Sequence, residues 1–166
     1  MIIVIMGVAG AGKSTVGELL AAELRCEFLD GDSLHTPSNI EKMTDGIPLT
    51  DADRAPWLAA IHARMLESFQ RRECLVVACS ALKQQYRNTL DHGVAITWVY
   101  LKGSEKVIRE RLQHRQHHFM TARMLASQLA DLEEPTDAIV VDVAVAPAVA
   151  VRQIVNAVTP ARAKAS

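Results

Sequence analysis

Residues Gly7-Val8-Ala9-Gly10-Ala11-Gly12-Lys13-Ser14 match the pattern G-x-x-x-x-G-K-[ST] without a mismatch. Glycines at these spacings let backbone N–H groups turn inward around a phosphate chain. A helix opening at the end of the run adds the positive end of its dipole. In that arrangement Lys13 reaches the β- and γ-phosphates of ATP, the Ser14 hydroxyl ligates Mg²⁺, and Thr15 follows in the first turn. Context separates the motif from a chance Gly-rich turn. An apolar run, Ile2–Met6, precedes it, and Val16, Leu19 and Leu20 give the following helix an apolar stripe. The pattern therefore predicts nucleotide binding, and it leaves the acceptor open among a small-molecule kinase, a switch GTPase and a motor-type ATPase.

Later residues narrow that choice. An N-K-x-D stretch for guanine is absent, and the apolar run 75–79 leads into Ser80-Ala81-Leu82-Lys83 rather than a Walker-B Asp. Asp30 and Asp32 sit two apart at the end of a predicted strand, where period-2 geometry sends both side chains to one side. Asp30 is expected to hold the metal and Asp32 to accept the acceptor hydroxyl's proton; an acidic turn is the plainer alternative. A helical stripe of Trp57 or Leu58, Ile61, Met65 and Phe69 extends back one turn to Arg54. A cation at a helix start on the buried face calls for an anionic partner, either an acceptor or the neighbouring Asp51 or Asp53. Lys83 and Arg87, four apart, suit a carboxylate or phosphoryl group. Arg111 and Arg115 repeat the spacing and are expected to cover the adenine and clamp the phosphates. His117 and His118 lack a third ligand at metal spacing, which favours a hydrogen-bonding role.

Such side chains need a frame. Apolar runs at Ile2–Met6, Glu27–Leu29, Leu75–Cys79, Ile96–Leu101 and Ile139–Val143 read as strands. They alternate with helical patterns near 13–25, 51–72, 82–91, 104–114, 121–132 and 147–158. This alternation predicts an α/β fold with a mainly parallel sheet and one domain over residues 1–166. Residues 30–58 form an acceptor-binding insertion, with turns and one short helix over 30–50, and residues 113–123 form a lid. Both start at strand carboxyl ends, where open α/β sheets place their ligands. A net charge of −1 gives no electrostatic footprint for nucleic acid, although twelve of the eighteen cationic residues are Arg. No apolar run approaches the roughly 20 residues of a membrane span. The opening Met1–Met6 lacks a basic leader and is shorter than a signal-peptide core. Cys26, Cys74 and Cys79 have no metal spacing and are expected to be reduced core thiols of a cytoplasmic protein.

In order along the chain, several segments resemble the gluconate kinase (gluconokinase) family. The carriers are Met6 through Thr15, Leu29-Asp30-Gly31-Asp32, His35 with Asn39–Met43, and Gly46–Asp51 through Arg54 and Pro56–Leu58. Cys79–Lys83, Tyr86-Arg87, Tyr100-Leu101, His118-Phe119-Met120, Leu125, Ser127-Gln128 and Leu132-Glu133 continue the series. Ala9 and Ala11 stand where related sequences often carry Ser. The resemblance implies ATP-dependent phosphorylation of D-gluconate to 6-phosphogluconate. It also implies a three-layer, nucleoside-monophosphate-kinase-like fold with a five-stranded parallel sheet, and commonly a homodimer. It adds His35 and His118 to Asp32, Arg54, Lys83 and Arg87 as candidate substrate contacts.

Overall fold

The computed structural model describes residues 1–113 and 122–163. Five strands, β1 (Ile2–Met6), β2 (Glu27–Asp30), β3 (Leu75–Ala78), β4 (Ile96–Lys102) and β5 (Ile139–Asp142), form one parallel sheet in the order β2-β3-β1-β4-β5. The helices are α1 (Lys13–Leu24), α2 (Pro37–Thr44), α3 (Asp51–Gln70), α4 (Gln84–Leu90), α5 (Glu105–Gln113), α6 (Ala122–Asp131) and α7 (Pro147–Ala163). A 3-10 turn spans Gly31–Leu34.

Why the sheet is covered on both sides follows from β1, whose five apolar side chains are all buried. Ile3 and Ile5 join one core with Val16 and Leu20 of α1 and Ile154 of α7. Ile2, Val4 and Met6 point the other way, toward Trp57, Ile61 and Met65 of α3 and Leu90 of α4. Period-2 alternation within one continuous apolar run thus supplies both cores of a three-layer domain. No helix among the described residues is long and apolar enough to cross a membrane.

Capping chemistry sets the boundaries of the 30–58 segment. Asp30 caps the 3-10 turn by accepting the Asp32 N–H, and Thr36 caps α2, which has Pro37 in its first turn. The segment therefore holds two short helical pieces rather than the single one expected. Thr50 and Asp53 form a reciprocal capping box that starts α3. On α3 the buried stripe runs Arg54, Trp57, Leu58, Ile61, Met65 and Ser68, while Phe69 is exposed. At 3.6 residues per turn Ser68 lies about 20° from Ile61 and Phe69 about 80° away, so the expected end of the stripe was one residue late.

The thiol expectation is overturned for two of the three cysteines. Cys26 and Cys74 form a disulfide with their Cα atoms 4.7 Å apart, and Cys79 alone is a buried free thiol. Strand register explains the pair. Glu27 stands opposite Leu75 in the parallel β2–β3 ladder, so the residues just before them meet across the same strands. Spacing along the chain cannot reveal a contact made by neighbouring strands. Burial raises the Cys79 thiol to about 12, which keeps it protonated and inert. The denatured, unreduced protein should expose one titratable thiol, and the reduced protein three. Reduction should lower stability by roughly 2–4 kcal/mol, read as a fall in the thermal midpoint.

Candidate active site

The phosphate loop leaves the carboxyl end of β1, the central strand, with Gly10 at φ 82° and Gly12 at φ 96°. A side chain strains that left-handed backbone, so the glycines are what allow the loop to close. Gly12 is the N-cap residue of α1, whose first turn carries no acidic residue to compete for an anion. Lys13 Nζ donates to the Val8 carbonyl at 3.1 Å across the loop.

Ser14 and Asp30 lie together as the metal expectation requires. Ser14 Oγ donates to Asp30 Oδ2 at 2.8 Å, while Asp30 Oδ1 accepts the Asp32 N–H at 3.0 Å. Two adjacent hard oxygens beside a phosphate loop suit Mg²⁺, which uses one or two carboxylate or hydroxyl ligands and fills its shell with phosphate and water. The expected route to the acidic pair needs correction. β2 ends at Asp30, and the 3-10 turn rather than strand alternation carries Asp32 to the cavity. There the Asp32 side chain is 72% exposed, and His35 Nε2 stands 3.9 Å from its Oδ1.

His35 stacks on Trp57 with ring centroids 4.4 Å apart, and burial pushes its pKa below the usual histidine value. It is therefore a neutral hydrogen-bonding group at neutral pH. Trp57 in turn donates its indole N–H to the Gly31 carbonyl at 2.7 Å. A Cβ at Gly31 would fall 2.6 Å from the Ala78 carbonyl oxygen and 3.0 Å from Ile61 Cδ1. Gly31→Ala should therefore displace the turn bearing Asp32 and cost about 1–3 kcal/mol, measurable by denaturant unfolding.

A cavity joins these parts. The phosphate loop with Lys13 and Ser14 lines one side, and Asp32, His35, Arg54 and Trp57 line another. Met43, Pro48 and Leu49 from the α2–α3 region and Ser127 and Gln128 from α6 also line it. Arg54 is buried, as its place on the stripe requires. Its Nη1 donates to Tyr86 Oη at 2.9 Å and lies 3.4 Å from Asp131 and 3.8 Å from Asp51. Each of these contacts runs through Nη1, and Arg54 also lines the cavity. The Asp51 alternative is thus partly realised, with Asp131 as the nearer carboxylate.

Lys83 and Arg87 do not share a task. Lys83 Nζ donates to Asp51 Oδ1 at 2.9 Å and lies 3.5 Å from Asp131. The Asp51 hydrogen bond holds its ammonium well above the usual lysine range. Tyr86 also donates to Asp51, and these hydrogen bonds together with that of Gln85 draw the Asp51 carboxyl down to about 2. Arg87 is placed elsewhere than the acceptor expectation had it. It is buried, and its Nη1 donates to the Ala81 and Leu82 carbonyls at 3.0 and 3.1 Å. Ala81 has φ 43°, so Arg87 stabilises an uncommon backbone turn behind the cavity. Four-residue spacing put the two cations on one helical face, but α4 starts at Gln84 and leaves Lys83 as its cap.

Arg111 sits beside a second cleft, on the far side of the phosphate loop, with Gly12, Thr15, Val143 and Pro147. Its guanidinium donates to the Ala11 carbonyl at 3.4 Å and to the Val143 carbonyl. Arg115 and His118, together with His117, lie outside the described residues. Gln128, Asp131 and Tyr86 join the site without any signal in their spacing along the chain, whereas Asp51 was expected only as a partner of Arg54. Gln128 and Asp131 are three apart on α6, and only the packing of that helix brings them to the phosphate loop and Arg54. Gln128 Oε1 accepts the Ala9 N–H at 2.7 Å.

The chain is similar over most of its length to proteins of known description. An AAA domain family model matches residues 2–135. The chain is 48% identical over 136 residues to a gluconokinase of Gluconobacter oxydans (strain 621H), covering 81% of this chain and 76% of the relative. It is 44% identical over 147 residues to the thermoresistant gluconokinase of Escherichia coli (strain K12), covering 86% and 84%. A solved gluconokinase structure from Sinorhizobium meliloti 1021 superposes with a TM-score of 0.83 at 49% identity, covering 91% of this chain and 87% of that one. The phosphate loop, the sheet order and this level of identity lead to one assignment: the chain belongs to the gluconokinase family of P-loop, AAA-domain proteins.

Proposed function

We propose that the protein transfers the γ-phosphoryl group of ATP to the 6-hydroxyl of D-gluconate, giving 6-phospho-D-gluconate and ADP. The observation that carries this reading is a single cavity that holds a phosphate loop, an accessible carboxylate and a buried arginine. The loop amides and Lys13 hold the β- and γ-phosphates, and the apolar cleft beside Arg111 and Val143 receives the base. Asp32 accepts the hydroxyl proton as the oxygen attacks phosphorus. Arg54 offers its guanidinium to the gluconate carboxylate, and neutral His35 hydrogen-bonds the polyol chain. Ser14 and Asp30 are the residues that would hold Mg²⁺, which would supply charge neutralisation of the phosphates.

In this reading residues 30–58 form the acceptor side of one kinase domain, while most of the segment expected as a lid, 113–123 with Arg115 and His118, lies outside the described residues. Lys83 tunes the Arg54 site through Asp51 rather than meeting the substrate alone. The protein acts as a cytoplasmic homodimer, and light scattering at twice the chain mass checks the assembly.

The test is an ADP-release assay on the pure protein with Mg·ATP and a panel of gluconate, shikimate, adenylyl sulfate and nucleoside monophosphates. Release that depends on gluconate and on no other panel member is expected. Release that follows another member would move the acceptor assignment to that compound.

A further inference from the structure

We infer that Asn39 is a positioning residue that fixes His35 in the tautomer with its proton on Nε2, so that His35 and Asp32 present one donor and one acceptor to the reacting hydroxyl. The inference deepens the gluconate reading above and rests on it.

Asn39 lies in the first turn of α2 and is buried. Its Nδ2 stands 2.8 Å from the Asp53 carbonyl oxygen. That oxygen can only accept, which settles the orientation of the amide and makes Nδ2 the donor. The same nitrogen lies 3.4 Å from His35 Nδ1. An amide NH₂ group has two protons and accepts nothing, so Nδ1 is the acceptor of this pair. The His35 side chain is 5% exposed, and burial lowers its pKa, so the ring is neutral and carries a single proton. With Nδ1 accepting, that proton is on Nε2. Stacking on Trp57 holds the plane of the ring, and the Trp57 indole N–H ties the stack to the Gly31 carbonyl in the turn that carries Asp32.

His35 Nε2 is 3.9 Å from Asp32 Oδ1, and both side chains line the cavity with Lys13 and Ser14. That separation is too long for a direct hydrogen bond, yet one oxygen can sit about 2.8 Å from each. A hydroxyl suits the gap, because it has one proton to give and two lone pairs to receive. Its proton faces the Asp32 carboxylate, one lone pair accepts the His35 Nε2–H, and the second lone pair is left for phosphorus. As the new O–P bond forms, the proton passes to Asp32, and ADP leaves with the electrons of the bond that breaks. In the other tautomer Nε2 and Asp32 would both be acceptors, and the hydroxyl's single proton could satisfy only one of them. Asn39 does not line the cavity and acts through the ring.

The experiment begins with long-range proton–nitrogen correlation NMR of the ligand-free full chain at neutral pH, with His35 assigned by the loss of its signals in His35→Gln. A bare Nδ1 and a protonated Nε2 are expected. A bare Nε2, or a ring protonated at both nitrogens, would overturn the inference, and this result stands even should a variant at position 39 fail to fold. Asn39→Asp sets a carboxylate against Nδ1 and should move the proton there, read at a pH where the same spectra show the ring neutral. Its turnover with gluconate should then fall about 10–100-fold, the cost of leaving a polar group unsatisfied, with the KM for ATP within about twofold of wild type. His35→Gln keeps an amide N–H near the place of Nε2 but has no tautomer to set. In that background Asn39→Asp should cost less than about threefold, since the two residues act as one unit. Equal losses in both backgrounds would show that Asn39 serves the fold alone and would overturn the inference. The expected spectrum without gluconate turnover in the wild type would overturn the functional reading, and the role at the reacting hydroxyl with it, while the tautomer assignment stands.

Discussion

Asp32→Asn should lower turnover by about 10²–10⁴-fold, the usual worth of a positioned general base, while nucleotide binding stays near the wild-type value. The structure separates these two effects. Asp30 is the carboxylate engaged with the phosphate side, through Ser14 Oγ and the Asp32 N–H. Asp32 offers only its backbone to that arrangement, and its side chain stands open in the cavity beside neutral His35. Single-turnover kinetics and titration with an ATP analogue together check the prediction. Loss of nucleotide binding in Asp32→Asn would transfer Asp32 to the metal site and leave the reaction without its assigned base.

Arg54→Leu should weaken gluconate binding by about 10–150-fold, the range for a hydrogen bond to a charged group, with little change in the KM for ATP. The packing gives this residue more weight than a surface cation. Arg54 is buried, fixed through Nη1 by Tyr86, Asp51 and Asp131, and lines the acceptor side of the cavity. Arg54→Lys should recover only part of the loss, because an ammonium cannot satisfy Tyr86 and a carboxylate with the same planar fork. Steady-state KM values for gluconate and ATP in both variants check the claim. An unchanged gluconate KM in Arg54→Leu would remove Arg54 from the acceptor site.

Much of this arrangement is legible before any fold is known, for local reasons. The phosphate loop is contiguous, so its chemistry depends on eight neighbouring residues and on the strand and helix that flank them. β1 reads as a strand buried on both faces because five apolar residues in a row suit nothing else of that length before a glycine. Asp30 and Asp32 are also local, although strand alternation does not describe their route to the cavity: the cap formed by the Asp30 carboxylate replaces the strand with a turn. Arg54 stood out because a cation on a buried stripe demands a partner.

What sequence spacing could not supply are the contacts made between elements. Arg87 has the residue type and helical spacing of an anion-binding group, yet it serves the backbone of Ala81 and Leu82. A donor with five N–H groups does not announce which acceptor it will find. Cys26 and Cys74 meet only because β2 and β3 are neighbours in register. Gln128 and Asp131 matter because α6 lies over the cavity, and nothing within α6 itself marks the contact. The register of sheets and the docking of helices are global outcomes, and residues whose roles depend on them emerge last.

The central claim is transfer of the γ-phosphoryl group to the 6-hydroxyl oxygen of gluconate. Its most direct measurement is phosphorus–proton correlation NMR of the product formed from Mg·ATP and D-gluconate. One new phosphomonoester resonance coupled to the C6 methylene protons should appear in step with ADP. ADP release without a gluconate-derived phosphoester, or a phosphorus coupled to a different carbon's proton, would contradict it.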